Sequence, residues 1–236
     1  MKEDQFVVIA IPTYSHQCSI EFAISLAATC TKLAVAGVKH AIVTLGGNCF
    51  VDQARNVLIQ KFLNFELCGK KIHATDLFFI DDDVGFPMEA AFDMITRPED
   101  IVFGVYPKKT DSAETFPVSL KIDDDGKFIE SDDGALKLAD TVCGGFLRIK
   151  RHVLERLMVG ERQYPFFDAE MKAYPIWNIF ENGMRGQVYW GEDISFAYKA
   201  QAAGFDLWCK PDINFTHRGT KLFRGNVAQF LKGRKT

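Results

Sequence analysis

Apolar residues fall in short blocks separated by polar, glycine or proline stretches, and the length and period of each block predict its element. Residues 6–11 form an unbroken apolar run ending at Pro12-Thr13, which predicts a parallel strand buried on both faces. Residues 19–36 are good helix formers that stop at Gly37, a residue suited to a helix C-terminus, and a second apolar run covers 41–45. After the Gly46-Gly47 loop, residues 51–67 carry Val57, Leu58, Phe62 and Leu67 at helical spacing, and 77–80 is a third strand. This β-α-β-α-β order predicts an α/β fold with a Rossmann-type, mainly parallel central sheet and helices on both faces.

The pattern changes further on. Pro87 opens a short helix to residue 95, and 101–106 is a strand. Phe116, Val118, Leu120 and Ile122 then alternate with polar or less apolar residues, Asp123-Asp124-Asp125-Gly126 supplies a turn, and 127–130 returns as a hairpin partner. This predicts a smaller antiparallel insertion at the sheet edge. Residues 141–149 read as a strand, 151–158 as a helix, 160–186 as an aromatic-rich irregular stretch, and 191–203 as a helix ended by Gly204, followed by short strands near Leu207 and Ile213. With no internal repeat or linker, residues 1–236 read as one domain, with 111–236 as a divergent second half after 1–110.

Composition agrees. The 236 residues are 47% hydrophobic and 25% charged, near the averages of folded soluble chains, which excludes disordered and fibrous classes. No stretch approaches the ~18 consecutive apolar residues of a membrane span, and Met1-Lys2-Glu3-Asp4 carries acids where a signal peptide is basic. A soluble cytoplasmic protein is expected, its scattered cysteines reduced and mostly buried. Net charge is −3, yet residues 213–236 hold Arg218, Lys221, Arg224, Lys232, Arg234 and Lys235 and no acid. Such a basic tail steers a polyanion, closes over phosphates, or is a solvated terminal face.

Three aspartate runs differ in context. Those at 123–125 and 132–133 sit among polar residues before glycine and read as turns. The run Asp81-Asp82-Asp83 directly follows Leu77-Phe78-Phe79-Ile80, which puts several carboxylates at the carboxyl end of a buried strand, where ligands of open α/β sheets bind. Crowded carboxylates repel one another unless a cation neutralises them. A hard divalent ion, held by one or two carboxylates plus substrate phosphates, is the natural occupant of this D-x-D pair.

That strand and D-x-D, the opening Ile9-Ala10-Ile11-Pro12-Thr13-Tyr14, Ala54-Arg55-Asn56, Cys143-Gly144-Gly145-Phe146-Leu147, Gly191-Glu192-Asp193 and a closing His217 occur in an order that resembles nucleotide-sugar glycosyltransferases of the GT-A fold. The likeness is to family-two-like members, more narrowly a bacterial, phage and giant-virus branch, and also to retaining fungal mannosyltransferases with an A-R-N segment. It spans roughly residues 6–218. It implies a bacterial or phage-infected host cytoplasm and a GT-A-like domain that uses Mn or Mg. Pro12, Thr13 and Tyr14 then line the nucleoside pocket, and Asp81, Asp82, Arg55, Gly144 and Gly145 meet the nucleotide sugar. Asp81, Asp83 and His217 hold the metal, whose charge offsets that of the departing nucleoside diphosphate. In an inverting reaction Asp193 is the general base and Glu192 its acceptor-binding neighbour; a retaining reaction leaves Asp193 without that role. The likeness covers both stereochemical groups. Gly144 and Gly145 also read as a strand bulge, and Arg55, taken alone, as a solvated helix charge.

Lys108, Lys109, Arg218 and Lys221 are candidate diphosphate clamps. Tyr164, Phe166, Phe167, Tyr174, Trp177, Tyr189 and Trp190 are either a satellite core or a stacking surface for the acceptor, with Trp190 beside Gly191-Glu192-Asp193 the best acceptor candidate. The acceptor is a glycan or lipid-linked sugar, or a hydroxymethylated base in phage DNA flipped out of its duplex. Two rival readings remain at this stage: a metal-dependent phosphohydrolase or nuclease, and a non-catalytic nucleotide-binding protein.

Overall fold

The structure, a computed structural model, describes residues 4–111, 114–168 and 170–233. β1 (Phe6–Thr13) buries Val7, Ile9 and Ile11 on one face and Val8 and Ala10 on the other, so its unbroken apolar run reflects two covered faces. α1 (Ile20–Val35) starts at Ser19, whose hydroxyl accepts the Phe22 N–H at 3.1 Å, and Gly37 leaves it with φ +72°. β2 (Lys39–Gly46) and α2 (Val51–Leu63) follow. α2 stops short of the residue 67 that its spacing predicts. Asn64 closes it, and Leu67 is exposed in a small hairpin, β3 (Glu66–Leu67) with β4 (Lys70–Lys71), turned by Cys68 and Gly69 at positive φ.

β5 (Asp76–Ile80), β6 (Val84–Gly85), α3 (Met88–Thr96) and β7 (Ile101–Gly104) complete the first half. The insertion expected at 116–130 returns across the predicted Asp123–Gly126 turn, with Ile122 bridging Phe128, but it forms only single bridges, the others being Leu120 with Ala139 and Glu130 with Lys137. The edge strand is β8 (Lys137–Ala139) instead. The strand expected from 141 begins only at β9 (Phe146–Lys150), because Gly144-Gly145 turns beneath Asp81. α4 (Arg151–Met158) has its predicted bounds. The stretch read as irregular folds into two hairpins, β10 (Gln163–Phe167) with β11 (Ala173–Trp177) and β12 (Gly183–Arg185) with β13 (Val188–Trp190). α5 (Glu192–Ala202), ended by Gly204 at φ +91°, leads to β14 (Leu207–Lys210). The basic tail is folded: β15 (Phe215–Arg218), β16 (Leu222–Gly225), the turn between them and α6 (Val227–Gly233) carry its charges as far as Lys232, and Arg234 and Lys235 lie outside the described residues. Ile213 is buried but belongs to no strand.

Seven strands form the central sheet in the order β2-β1-β5-β9-β7-β14-β8. β2, β1, β5, β7 and β14 run one way, while β9 in the interior and β8 at the edge run against them. The sheet is therefore mixed, more so than the strand-helix alternation implies. One face packs on α2, α4 and α5 through Leu58, Phe62, Val153, Leu154, Phe196 and Ala200, and the other on α1 and α3 through Phe22, Leu33, Ala91 and Met94. Each such large side chain is worth about 1.5–3 kcal/mol on leaving water. The reversed strand β9 carries Arg148, fully buried, whose guanidinium donates to the carbonyls of Met94, Arg97, Glu99 and Asp100 at 2.7–3.3 Å and lies 3.8 Å from Asp76. A buried charge needs such complete partnering, and here it ties the α3–β7 connection to the sheet.

Among the described residues no helix is long and apolar enough to cross a membrane. All six cysteines are free, and Cys18, Cys49 and Cys68 are exposed, so the expectation of mostly buried thiols holds only for Cys143, Cys209 and in part Cys30.

Candidate active site

The register of β5 against β9 pairs Ile80 with Phe146, so the chain leaving β5 runs beside Gly145, and the Asp81 N–H donates to the Gly145 carbonyl at 2.9 Å. The Asp81 carboxylate accepts from Arg55 Nη2 at 3.1 Å and from the Tyr106 hydroxyl at 3.2 Å. A Cβ on Gly145 would lie 2.1 Å from Asp81 Oδ2 and 2.2 Å from the Tyr106 oxygen, and one on Gly144 would lie 3.2 Å from the Arg55 guanidinium. Both glycines thus make room for the protein's own charged groups.

Arg55, read from sequence as a solvated charge or a nucleotide contact, is 2% exposed. It projects from α2 between the rings of Phe79 and Phe180, 5.3 and 5.9 Å from their centroids, and faces Asp81 at 3.1 Å and Glu192 at 3.7 Å. Burial pulls its pKa down, but the two carboxylates outweigh burial and hold it above its usual value. Its Nε and Nη1 have no hydrogen-bond partner. The next residue, Asn56, is buried and clasps the backbone of Phe180, donating to its carbonyl at 2.7 Å and accepting its N–H at 2.8 Å. The A-R-N segment therefore joins the D-x-D turn to the chain leading to α5.

Glu192 and Asp193 open α5, half-buried beyond Arg55. Burial raises the pKa of both; for Glu192 the Arg55 charge works against the rise and Asp193 adds to it. Asp193 also accepts the Ile194 N–H at 2.8 Å. Trp190, just before, meets Tyr198 edge-on at 5.5 Å.

On the other side of the D-x-D turn, β15 pairs with β6 and sets His217 opposite Val84. His217 Nδ1 lies 2.8 Å from the Pro107 carbonyl, which can only accept, so Nδ1 carries a proton. Nε2 then faces Asp83 Oδ1 at 3.5 Å. Lys109 donates to the other Asp83 oxygen. Burial pushes the Asp83 pKa up, but hydrogen bonds from His217 and Lys109 outweigh it and the net shift is downward. Asp82 is raised, by burial first and then by the neighbouring carboxylates, against a hydrogen bond from Thr13. At the end of β1 Thr13 is half-buried and Tyr14 exposed, whereas Pro12 is buried.

The fold thus joins Asp81, Arg55 and Glu192 in one contact chain with Asp193 beside it, and joins Asp83 with His217 and Lys109. Among the described residues no group of three or more His, Cys, Asp or Glu side chains is arranged to hold a metal, since Asp81 is turned toward Arg55 and Tyr106. Of the other clamp candidates, Arg218 pairs with Glu21 and Lys221 with Asp111. Tyr106 was not singled out from sequence, although a hydroxyl at the carboxyl end of the strand predicted over 101–106 was a usable signal.

The aromatics of the second half divide. Tyr164 accepts from Asn56 and Trp177 packs on the core, while Phe166, Phe167 and Tyr174 line a cavity of about 950 Å³ between β2, α2 and the β10–β11 hairpin, apart from the carboxylates. Tyr189 is exposed. No protein-family model matches the chain, and no curated protein matches it in sequence.

Proposed function

We propose that the protein is a metal-dependent glycosyltransferase that moves a sugar from a nucleoside diphosphate sugar to a hydroxyl acceptor. The observation that carries this reading is the bridge formed by buried Arg55 between the D-x-D turn and the Glu192-Asp193 pair, at 3.1 Å from Asp81 and 3.7 Å from Glu192. It links a carboxylate group suited to a cation with one suited to proton transfer across a single crevice at the carboxyl edge of the sheet.

The donor types, two carboxylates and an imidazole, suit a divalent ion, whose binding requires Asp81 to turn from Arg55 and Tyr106. His217 is anchored through Nδ1 on the Pro107 carbonyl and presents Nε2 to the Asp83 carboxylate at 3.5 Å, and mixed nitrogen and oxygen donors favour Mn over Mg. Asp81, Asp83 and His217 are the residues that would hold the ion, which when bound offsets the charge growing on the departing diphosphate. Thr13 and Tyr14, at the carboxyl end of β1, would take the nucleoside side. In an inverting displacement an Asp193 oxygen takes the acceptor hydroxyl proton as the new C–O bond forms and the bond from sugar to phosphate breaks. Its raised pKa makes it the stronger base for that step. Arg55 holds Asp81 and steadies Glu192, and Trp190 offers an aromatic face to the acceptor.

The test is thermal unfolding with UDP-, GDP-, CMP- and dTDP-sugars, each with and without Mn, followed by product analysis with glycans and hydroxymethylated DNA. A ligand that binds only the native state raises its melting temperature. A rise that needs Mn with one nucleotide, and sugar transferred to a hydroxyl, is the expected result. No rise with any donor, or release of free sugar or phosphate independent of acceptor, overturns the transferase reading.

A further inference from the structure

Residues 107–111 run along the Asp83 side of the crevice and engage it through successive contacts. The Pro107 carbonyl takes the Nδ1 proton of His217 at 2.8 Å, Lys109 donates to Asp83 Oδ2, and Asp111 pairs with Lys221 in the turn between β15 and β16. The aliphatic stem of Lys109 rests on Gly219, where a Cβ would come within 3.1 Å of its Cδ, so the ammonium is steered toward Asp83 by packing as well as by charge. The same segment therefore anchors the His217 ring at Nδ1, and it fills the carboxylate 3.5 Å from Nε2 with a cation of its own.

Asp83 is a half-buried carboxylate that needs positive charge beside it to stay ionised, and Lys109 supplies one unit of it. A divalent ion that takes Asp83 as ligand meets the Lys109 ammonium at the same carboxylate, and the two cations repel. We infer that Lys109 is a built-in counter-ion of the candidate metal site: it neutralises Asp83 while no divalent cation is bound, competes with that cation for the carboxylate, and is released when the cation binds. The inference rests on the metal part of the proposed function. It gives Lys109 a role distinct from a diphosphate clamp, since its effect is on metal binding in the absence of any nucleotide.

The experiment titrates the full chain with Mn²⁺ alone and reads the electron paramagnetic resonance signal of the free aqueous ion, which is lost on binding. Lys109→Met and Lys109→Gln remove the competing charge and bind Mn²⁺ up to about fivefold, and at least about threefold, more tightly than the unaltered protein, the upper part of the range expected for loss of one partly exposed ion pair. Lys109→Arg, which keeps the charge, stays within about twofold of the unaltered protein, as does Lys127→Met, which removes a positive charge at an exposed turn pairing only with Asp125. Lys109 is half-exposed, so these substitutions leave the core untouched. Equal or weaker Mn²⁺ binding by both Lys109→Met and Lys109→Gln overturns the counter-ion role and leaves the metal reading standing. Tightening of the same size in Lys127→Met overturns it too, because general charge then accounts for the effect. Absence of Mn²⁺ binding in every protein, the unaltered one included, overturns both.

Discussion

Gly145 and Asp81 stand so close that the carboxylate occupies the space a side chain would need, with Oδ2 2.1 Å from the position of a Cβ. Tyr106 closes the same space from the other side at 2.2 Å. Neither can retreat easily, because Asp81 is held by Arg55 and Tyr106 is packed on the core with its hydroxyl on Asp81. Gly145→Ala should therefore cost about 1–3 kcal/mol, the range of overpacked sites, and displace Asp81. Gly183→Ala, with nothing within 4 Å, should stay within about 0.5 kcal/mol. Urea unfolding of the two variants checks the contrast, and equal stability would show that the Asp81 turn yields freely.

Arg55 neutralises Asp81 and Glu192 from within the core. Arg55→Met leaves two carboxylates without their cation in a partly dehydrated crevice, and removal of one partner from a buried pair costs about 3–5 kcal/mol. The loss has a pH signature. The Glu192 pKa is already raised, burial being the larger cause and Arg55 the opposing one, so its removal raises it further. A carboxyl group with a raised folded pKa is best tolerated protonated, so the variant should lose stability as pH rises through the range between the ordinary carboxylate value and the raised one. Adding Glu192→Gln should recover part of the stability and remove that slope. Thermal melts of the single and double variants from acidic to neutral pH are the measurement.

Much of this site was legible because hydropathy was strong where the strands are buried on both sides. The run before Asp81 could only be a central strand, and a buried strand delivers whatever follows it to the carboxyl edge. The helices begun by Ser19 and ended by Gly204 carried their own punctuation. What stayed hidden depends on pairing across the sheet. The reversal of β9 leaves no mark on hydropathy, since Leu147 and Phe146 are buried whichever way the strand runs. With it were hidden the approach of Gly145 to Asp81 and the true neighbours of Arg55. The β10–β11 hairpin was lost for a local reason, because Pro165 and Pro175 face each other in its register and interrupt the strand signal. Leu67 fits the period of α2 and so extended the predicted helix past the Asn64 turn.

Far from the D-x-D turn, Glu181 gathers Arg162, Arg185 and Lys199 at the entry to the β12–β13 hairpin. Burial pushes its pKa up, but the three cations and the Arg162 hydrogen bond outweigh that and bring it below the ordinary value. A lowered folded pKa contributes stability above the unfolded value, about 4.3 for glutamate, and that contribution is lost as pH falls through the lowered value. Glu181→Gln should thus destabilise the protein at neutral pH and flatten its acid unfolding below pH about 4.3. Circular dichroism during acid titration measures both effects, and an unchanged acid limb would remove the cluster from the account of stability.

As the proposed general base, Asp193 would separate donor binding from transfer. Its carboxylate is seated by burial and by the Ile194 N–H at 2.8 Å, and among the described residues it makes no ion pair, so Asp193→Asn preserves shape and leaves the D-x-D turn unaltered. If it is the base of an inverting reaction, the variant should keep the Mn-dependent stabilisation by the donor and lose transfer by about 10²–10⁴-fold, the usual worth of a general base. The unaltered protein should show the matching pH profile. Burial raises the Asp193 pKa, and the base acts only when ionised, so the acid limb of kcat/KM should fall at a pH above the ordinary aspartate value of about 3.9 and vanish in the variant. Normal transfer by Asp193→Asn would eliminate it as the base and direct attention to a retaining reaction, in which the departing diphosphate and the acceptor share one face of the sugar and no protein base is required.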